Sequence, residues 1–141
     1  MNKRPVRLLF LCTGNSCRSI LAEAIVNHYA ANRYLAFSAG SAPTGQVHPI
    51  ALETLERHGM KCDDLYSKSW EIFKSQSFDV VITVCDKANN QSCPLFPGQP
   101  HKLHWNIPDP AQMKGSKEEI NAAFEDVFHQ LKLKIKQELL T

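Results

Sequence analysis

No apolar run in this 141-residue sequence approaches the roughly 20 residues needed to cross a bilayer. The basic start is followed by an apolar stretch of only about six residues, too short for the core of a secretory signal. Neither membrane attachment nor export is therefore expected. No C-x-x-C pair occurs, and the one H-x-x-H, His101 with His104, has no second pair at zinc-finger spacing, so no metal is expected. The other histidines, His28, His48, His58 and His129, read as surface or half-buried residues with local hydrogen bonds. Charge of one sign is scarce. The 16 Lys and Arg against 14 Asp and Glu leave a formal +2, and no basic patch alternates with aromatics, so no nucleic-acid partner is expected. Repeats, linkers and low-complexity tracts are missing too, so residues 1–141 read as one compact domain, expected as a monomer. The five cysteines, Cys12, Cys17, Cys62, Cys85 and Cys93, are odd in number, which argues against a static disulfide framework and for thiols in a reducing cytoplasm.

What is present is concentrated near the start. Residues 6–19 read Val-Arg-Leu-Leu-Phe-Leu-Cys-Thr-Gly-Asn-Ser-Cys-Arg-Ser. Val6 to Leu11 has the continuous apolarity of a strand buried on both faces, and Gly14 and Asn15 suit a tight loop that exposes backbone amides. After Arg18, the residues Leu21, Ala24, Ile25 and Tyr29 recur at helical spacing, so the loop ends at a helix N-terminus, where unpaired N–H groups and the dipole favour an oxyanion. Thr13, Gly14, Asn15, Ser16, Cys17, Arg18 and Ser19 are thus the expected oxyanion binders. A helix N-terminus and a neighbouring cation lower a thiol's pKa, so Cys12 is expected as a thiolate and nucleophile. Arg18 supplies a planar fork for two oxygens of a tetrahedral anion, which lysine cannot reproduce. The bland alternative, a small core cysteine ending a strand, leaves the Gly-Asn loop and Arg18 unexplained.

Further along, Leu35–Ala39 predicts a second strand, and His48 to His58 a second helix with Pro49 in its first turn and Ile50, Leu52 and Leu55 on its apolar face. Ser69 to Lys74 reads as a short helix, Phe78 to Val84 as a β-branched buried strand ending on Cys85, and Lys102 to Trp105 as a short fourth strand. Ser116 with Glu119 forms a capping box, followed by the stripe Ile120, Phe124, Val127, Leu131, Ile135 and Leu139, a long amphipathic helix. Strands alternating with helices predict an α/β three-layer sandwich whose four-stranded parallel sheet has the order 2-1-3-4. Ligands in such sheets bind beyond the carboxyl ends of the strands. Cys12 and Cys85 would then share one rim. Residues 86–92, between Cys85 and Cys93, are polar and free of proline, which leaves room for these two cysteines to meet in a disulfide. The quieter reading, with Cys85 capping a strand and Cys93 preceding a proline turn, stays open. Expelling a hydroxide or alkoxide from a tetrahedral oxyanion needs a proton, and Asp109, held between Pro108 and Pro110, is the candidate acid.

Cys12-Thr-Gly-Asn-Ser-Cys-Arg-Ser19 resembles the signature of the low-molecular-weight protein tyrosine phosphatase superfamily, and more closely its arsenate reductase branch. The likeness runs through Ser38-Ala-Gly40, Thr83-Val-Cys-Asp86, Trp105 and Asp109-Pro-Ala111. The phosphatases place aromatics after the Asp-Pro to grip a phosphotyrosyl ring, whereas Ala111 stands here. The resemblance implies Cys12 as nucleophile, Arg18 and the loop amides as arsenate binders, Ser19 as a hydrogen-bond partner of the thiolate and Asp109 as general acid. It also implies Cys85 and Cys93 as a disulfide relay: Cys85 attacks the arsenic-bearing Cys12, and Cys93 then attacks Cys85. No tightly bound cofactor is implied. The reductant would be thioredoxin, or glutathione with glutaredoxin, and phosphate would compete with arsenate. Some thioredoxin-coupled relatives bind potassium through an Asn, a Glu, a Ser and an Asp; Asn15, Glu23 and Ser38 match, while the fourth position falls near Trp70. Cys17 reads either as a partner in a protective disulfide with Cys12 or as a passive loop residue, and Cys62 has no matched role.

Two rivals remain. A tyrosine phosphatase would use Cys12, Arg18 and Asp109 through a phosphocysteine and need neither Cys85 nor Cys93. A flavodoxin-like carrier would hold a flavin phosphate in the Thr-Gly-Asn loop, but lacks a strong pair of ring-flanking aromatics and has no use for Cys12 and Arg18. A catalytically silent phospho-ligand binder would keep an oxidation-prone thiolate for nothing.

Overall fold

The computed structural model describes residues 4–84 and 96–140. Its centre is β1, Val6–Cys12, whose last five residues are all buried. From Leu8 onward the strand is continuously apolar because both faces of the sheet are covered there. β2 (Tyr34–Gly40), β1, β3 (Val80–Thr83) and β4 (His101–His104) form a four-stranded sheet in the order β2-β1-β3-β4, and every pairing is parallel. This is the 2-1-3-4 architecture expected from the alternation of strands and helices. In the register, Cys12 stands opposite Gly40 and Leu11 opposite Thr83, so three strands reach the same carboxyl edge together.

Side chains of β1 alternate between two cores. Leu8 and Phe10 enter a core shared with helices α1 (Arg18–Tyr29), α2 (Pro49–Arg57) and α3 (Lys117–Leu139). Leu9 and Leu11 enter a second core, closed by Phe78, Phe96 and a 3-10 turn over Trp70–Phe73. Cys12 continues the first set, which turns its sulfur toward the helical side.

Most elements lie where the sequence placed them, β1 running one residue further and β2 one residue further at each end, while α2 and the third strand are shorter. The third strand forms ladder pairs only over Val80–Thr83, while Phe78 and Val84 remain buried outside it. The fourth is shifted one residue earlier and is mostly exposed, as an edge strand tolerates. The first helix departs more. Its expected stripe included Tyr29, which is 45% exposed, whereas every residue from Ser19 to Val26 is buried, the polar Ser19 and Glu23 included. The cause is its position: α1 packs on β1 and β2 on one side and against α2 and α3 on the other. The last helix carries the predicted capping box, with the Ser116 hydroxyl accepting from the Glu119 N–H and the Glu119 carboxylate accepting from the Ser116 N–H. No helix among the described residues is long and apolar enough to cross a membrane.

Candidate active site

The loop between β1 and α1 is shaped by its carbonyls. Those of Thr13, Gly14 and Ser16 accept from the N–H groups of Ala42, Thr44 and His48 at 2.9 to 3.0 Å, and the Gly14 carbonyl also accepts from the Ser67 hydroxyl. In a trans peptide the next residue's N–H points opposite to the carbonyl, so the amides of Gly14, Asn15 and Cys17 point away from these donors. The first turn of α1 adds to them, because Cys17 at its N-cap makes no side-chain capping bond. Two local features permit the tight path. Asn15 takes a left-handed φ of 48°, and a Cβ at Gly40 would stand 2.5 Å from the Thr13 carbonyl oxygen, so β2 can end there only with glycine.

Cys12 lies at the floor of a cavity of about 600 Å³, with Arg18, Thr44, Ile107, Asp109 and Ala111 among its walls. No aromatic side chain is among the described residues that line it. The Arg18 guanidinium donates through Nη1 to the Ile107 carbonyl at 3.1 Å and brings Nη2 to 3.6 Å from Asp109 Oδ2. Asp109 in turn caps the 3-10 turn Pro110–Gln112 by accepting from the Ala111 N–H at 3.0 Å. Nucleophile, fork and acid candidate thus meet around one space able to take a small tetrahedral anion.

Behind the sulfur runs a buried polar chain. Ser19 Oγ lies 2.8 Å from Cys12 Sγ, and Asn15 Nδ2 donates to both Ser19 Oγ (2.8 Å) and Ser38 Oγ (3.0 Å). Ser38 donates to the Glu23 carboxylate. Asn15 Oδ1 accepts from the Lys68 N–H at 2.9 Å, which fixes the orientation of the amide, since a backbone N–H can only donate. The Lys68 side chain then curls back, placing Nζ 2.8 Å from the Tyr66 carbonyl, 3.4 Å from Ser38 Oγ and 3.6 Å from Glu23 Oε1. Burial pushes the Glu23 carboxyl up and the Lys68 ammonium down, and each group's charge opposes the other's shift. Lys68 carried no signal in the sequence; its side chain is buried only because the strand-like bridge of Ser69 to Gly40 brings the segment under the loop.

That ammonium bears on the potassium site. Asn15, Glu23 and Ser38 do come together, but Ser38 and Glu23 are hydrogen-bonded to each other, and Lys68 Nζ already lies against both, 3.4 Å from Ser38 Oγ and 3.6 Å from Glu23 Oε1. A second unit cation within about 4 Å would meet a repulsion of about 4 kcal/mol at an effective dielectric of 20. The residues present do not fit a potassium ion. Elsewhere, His58, Glu125 and His129 bring three potential ligand atoms within 4.8 Å of one another, but the Arg57 guanidinium shares the same carboxylate and the group is satisfied as an ion-pair network.

The cysteines differ sharply. Cys17 is buried, and its thiol is pushed up to about 12, chiefly by burial, with the Ser16 hydroxyl opposing weakly. Burial also raises Cys62. Both favour the protonated, unreactive form. Iodoacetamide at neutral pH is therefore expected to modify Cys12 before Cys17 and Cys62, read peptide by peptide by mass spectrometry; equal rates would contradict the geometry. Cys85 and Cys93 lie outside the described residues.

Residues 7–140 match the model of the family described as low molecular weight phosphotyrosine protein phosphatase. The chain is 35% identical over 130 residues to an arsenate reductase of Shouchella clausii, covering 92% of each. Among solved structures, a thioredoxin-dependent arsenate reductase of Corynebacterium glutamicum is similar at TM-score 0.70 and 29% identity, over 99% of this chain and 65% of that one. An arsenate reductase in a phosphate-binding state aligns at TM-score 0.74 and 26% identity, over 94% of this chain and 95% of the other.

Proposed function

This chain belongs to the low molecular weight phosphotyrosine protein phosphatase family, and from that premise we propose that it is an arsenate reductase. The observation that carries the proposal is the cavity itself: Cys12, the loop after it and the Arg18 fork line one space, with Ala111 and no aromatic ring among its described walls. Without a ring to grip an aryl group, this lining favours a small inorganic tetrahedral anion. The arsenate reductase relatives support the same substrate.

In this reading the Cys12 thiolate attacks arsenic(V) held by Arg18 and the amides of residues 13–19, and Asp109 protonates the departing hydroxide, which leaves as water. Cys85 then attacks the Cys12 sulfur. The Cys12–Cys85 bond forms, the sulfur–arsenic bond breaks, and its electron pair stays on arsenic, which leaves as arsenite. Cys93 attacks Cys85, releasing the Cys12 thiolate and leaving a Cys85–Cys93 disulfide for an external dithiol. Val84, one residue before Cys85 in the chain, donates its N–H to the carbonyl of Leu11, one residue before Cys12, which supports this pairing of partners. The reductant is thioredoxin or glutathione with glutaredoxin, in a reducing compartment such as the cytoplasm. The thioredoxin-dependent relative gives the first a precedent. Phosphate, of the same shape and charge, competes.

The test is arsenite formed from arsenate with each reductant, alongside p-nitrophenyl phosphate hydrolysis. Multiple turnover with at least one reductant is expected, with Cys85→Ser halting at the Cys12–arsenic adduct and Cys93→Ser losing multiple turnover after a first round of arsenite release. Fast hydrolysis with no arsenite would replace the proposal with a phosphatase.

A further inference from the structure

We propose that His58, Glu125 and His129 form a binding site for a divalent cation of the zinc type, which staples the C-terminal end of α2 to α3. None of the three lines the cavity over Cys12, so the site is separate from the one described above.

Spacing is the first support. A tetrahedral ion with bonds of about 2.0 to 2.2 Å sets its ligand atoms about 3.3 to 3.5 Å apart. His58 Nε2 lies 3.0 Å and His129 Nε2 3.4 Å from Glu125 Oε2, and the three ligand atoms are all within 4.8 Å of one another. Two edges of a coordination face are thus close to the required length. The third closes by a small swing of His129, whose side chain is 62% exposed. Glu125 and His129 stand one helical turn apart on α3, and His58, the C-cap of α2, is brought to them by packing. It lies 67 residues from Glu125, so no spacing rule in the sequence pairs them.

The ligands are also held in place. The His58 ring stacks on Phe128 with 3.9 Å between centroids and 11° between planes, and its backbone N–H is tied to the Leu55 carbonyl. The Glu125 carboxylate is divided between two tasks. Arg57 donates to Oε1 through Nε at 3.2 Å and Nη2 at 3.0 Å, while Oε2 is the oxygen nearer His58 and the one His129 reaches. A donor on the second oxygen is how metal-bound carboxylates are commonly oriented. Arg57 does not bar an ion as Lys68 bars potassium. Lys68 Nζ, on a side chain 6% exposed, lies against both oxygens that would ligate, whereas Arg57 takes the oxygen left over and is 42% exposed, so water screens its charge. Without an ion the group rests as an ion-pair network; an ion replaces the imidazole–carboxylate contacts and leaves the Arg57 pair intact. Two imidazoles and one carboxylate, with a fourth position for water, select zinc or a similar nitrogen-seeking cation over magnesium and calcium, which prefer oxygen alone. The consequence falls on α2, which at nine residues is too short to persist by itself. Its first end is fixed by the His48 N–H on the Ser16 carbonyl, and the ion fixes the other.

The test titrates zinc chloride into the reduced full chain. Thiolates bind zinc as well, so the readout is the nitrogen-15 shifts of the histidine rings, which binding at sulfur leaves in place. One equivalent of zinc at this site is expected to move the Nε2 signals of His58 and His129 together and to leave His28 and His48 where they are, while magnesium chloride moves none. The midpoint of thermal unfolding should rise with zinc, because the ion binds the folded chain only. His129→Ala alters an exposed position and is expected to weaken this binding at least about tenfold and to remove the thermal shift, with arsenite formation in zinc-free buffer unchanged. His129→Asp, which returns an oxygen ligand, should recover part of the affinity. Zinc that leaves both rings of the wild type unmoved, or that stabilises His129→Ala as much as the wild type, would overturn the inference and assign the bound metal to the thiols.

Discussion

Cys12→Ser is expected to abolish arsenite formation, a loss on the order of 10⁴-fold or more, comparable to removing the nucleophile of other covalent catalysts. Two independent causes combine. A serine hydroxyl remains protonated at neutral pH, and the Ser19 hydroxyl, 2.8 Å from the present sulfur, is no base. Even if an oxygen–arsenic bond formed, a thiol could not draw an electron pair onto arsenic by attacking that oxygen, because no disulfide would result. The reduction therefore fails twice. Binding should survive, since Arg18, the loop amides and the outer hydrogen bonds of Thr13, Gly14 and Ser16 are unchanged. Calorimetric titration with phosphate or arsenate is expected to give an affinity within several-fold of the wild type. A variant that still makes arsenite over many cycles would remove Cys12 from the chemistry, and one that neither binds nor turns over would point to a collapsed loop.

Much of this site was legible because its core is local. Cys12, Arg18 and the amides between them lie in one unbroken segment, so spacing alone brings them together, and the turn residues at Gly14 and Asn15 report the bend. Asp109 was legible for a different reason: flanking prolines restrict the backbone, and the carboxylate caps its own turn before it meets Arg18. The strand order followed from the alternation of elements. What stayed hidden depends on packing between distant segments. Glu23 was already singled out by the family likeness, but its burial was not: the helix that read as one-sided is buried all round from Ser19 to Val26, because α2 and α3 cover what looked like its outer face. Lys68 lies in an irregular stretch without periodicity, 45 residues from Glu23 and 30 from Ser38 along the chain, and only the bridge to Gly40 makes it part of the site. A buried lysine leaves no mark in composition, since most lysines are exposed. Cys85 and Cys93, proposed above as a relay, belong to neither class, because they fall outside the described residues.

Arg18→Lys keeps the charge and tests the geometry. The arginine does two jobs at once. Nη1 is anchored to the Ile107 carbonyl, and Nη2 lies against Asp109, so the guanidinium spans from α1 to the loop after β4 while still presenting a face to the cavity. An ammonium is a point donor on a flexible stem and cannot hold the Ile107 carbonyl and grip two oxygens of the anion together. The expected loss in kcat/KM is about 10²- to 10³-fold, the range for removing one aimed donor from a developing oxyanion. Part should appear in KM, because arsenate is already bound through the fork, and part in kcat, because charge builds on those oxygens as sulfur attacks. The two contributions separate experimentally. Inhibition by phosphate, which reports the ground state alone, should weaken in step with KM, while the remaining loss should be confined to kcat. A lysine variant within threefold of the wild type in both would mean that positive charge suffices. In that case the loop amides, not the arginine fork, would be what recognises the anion.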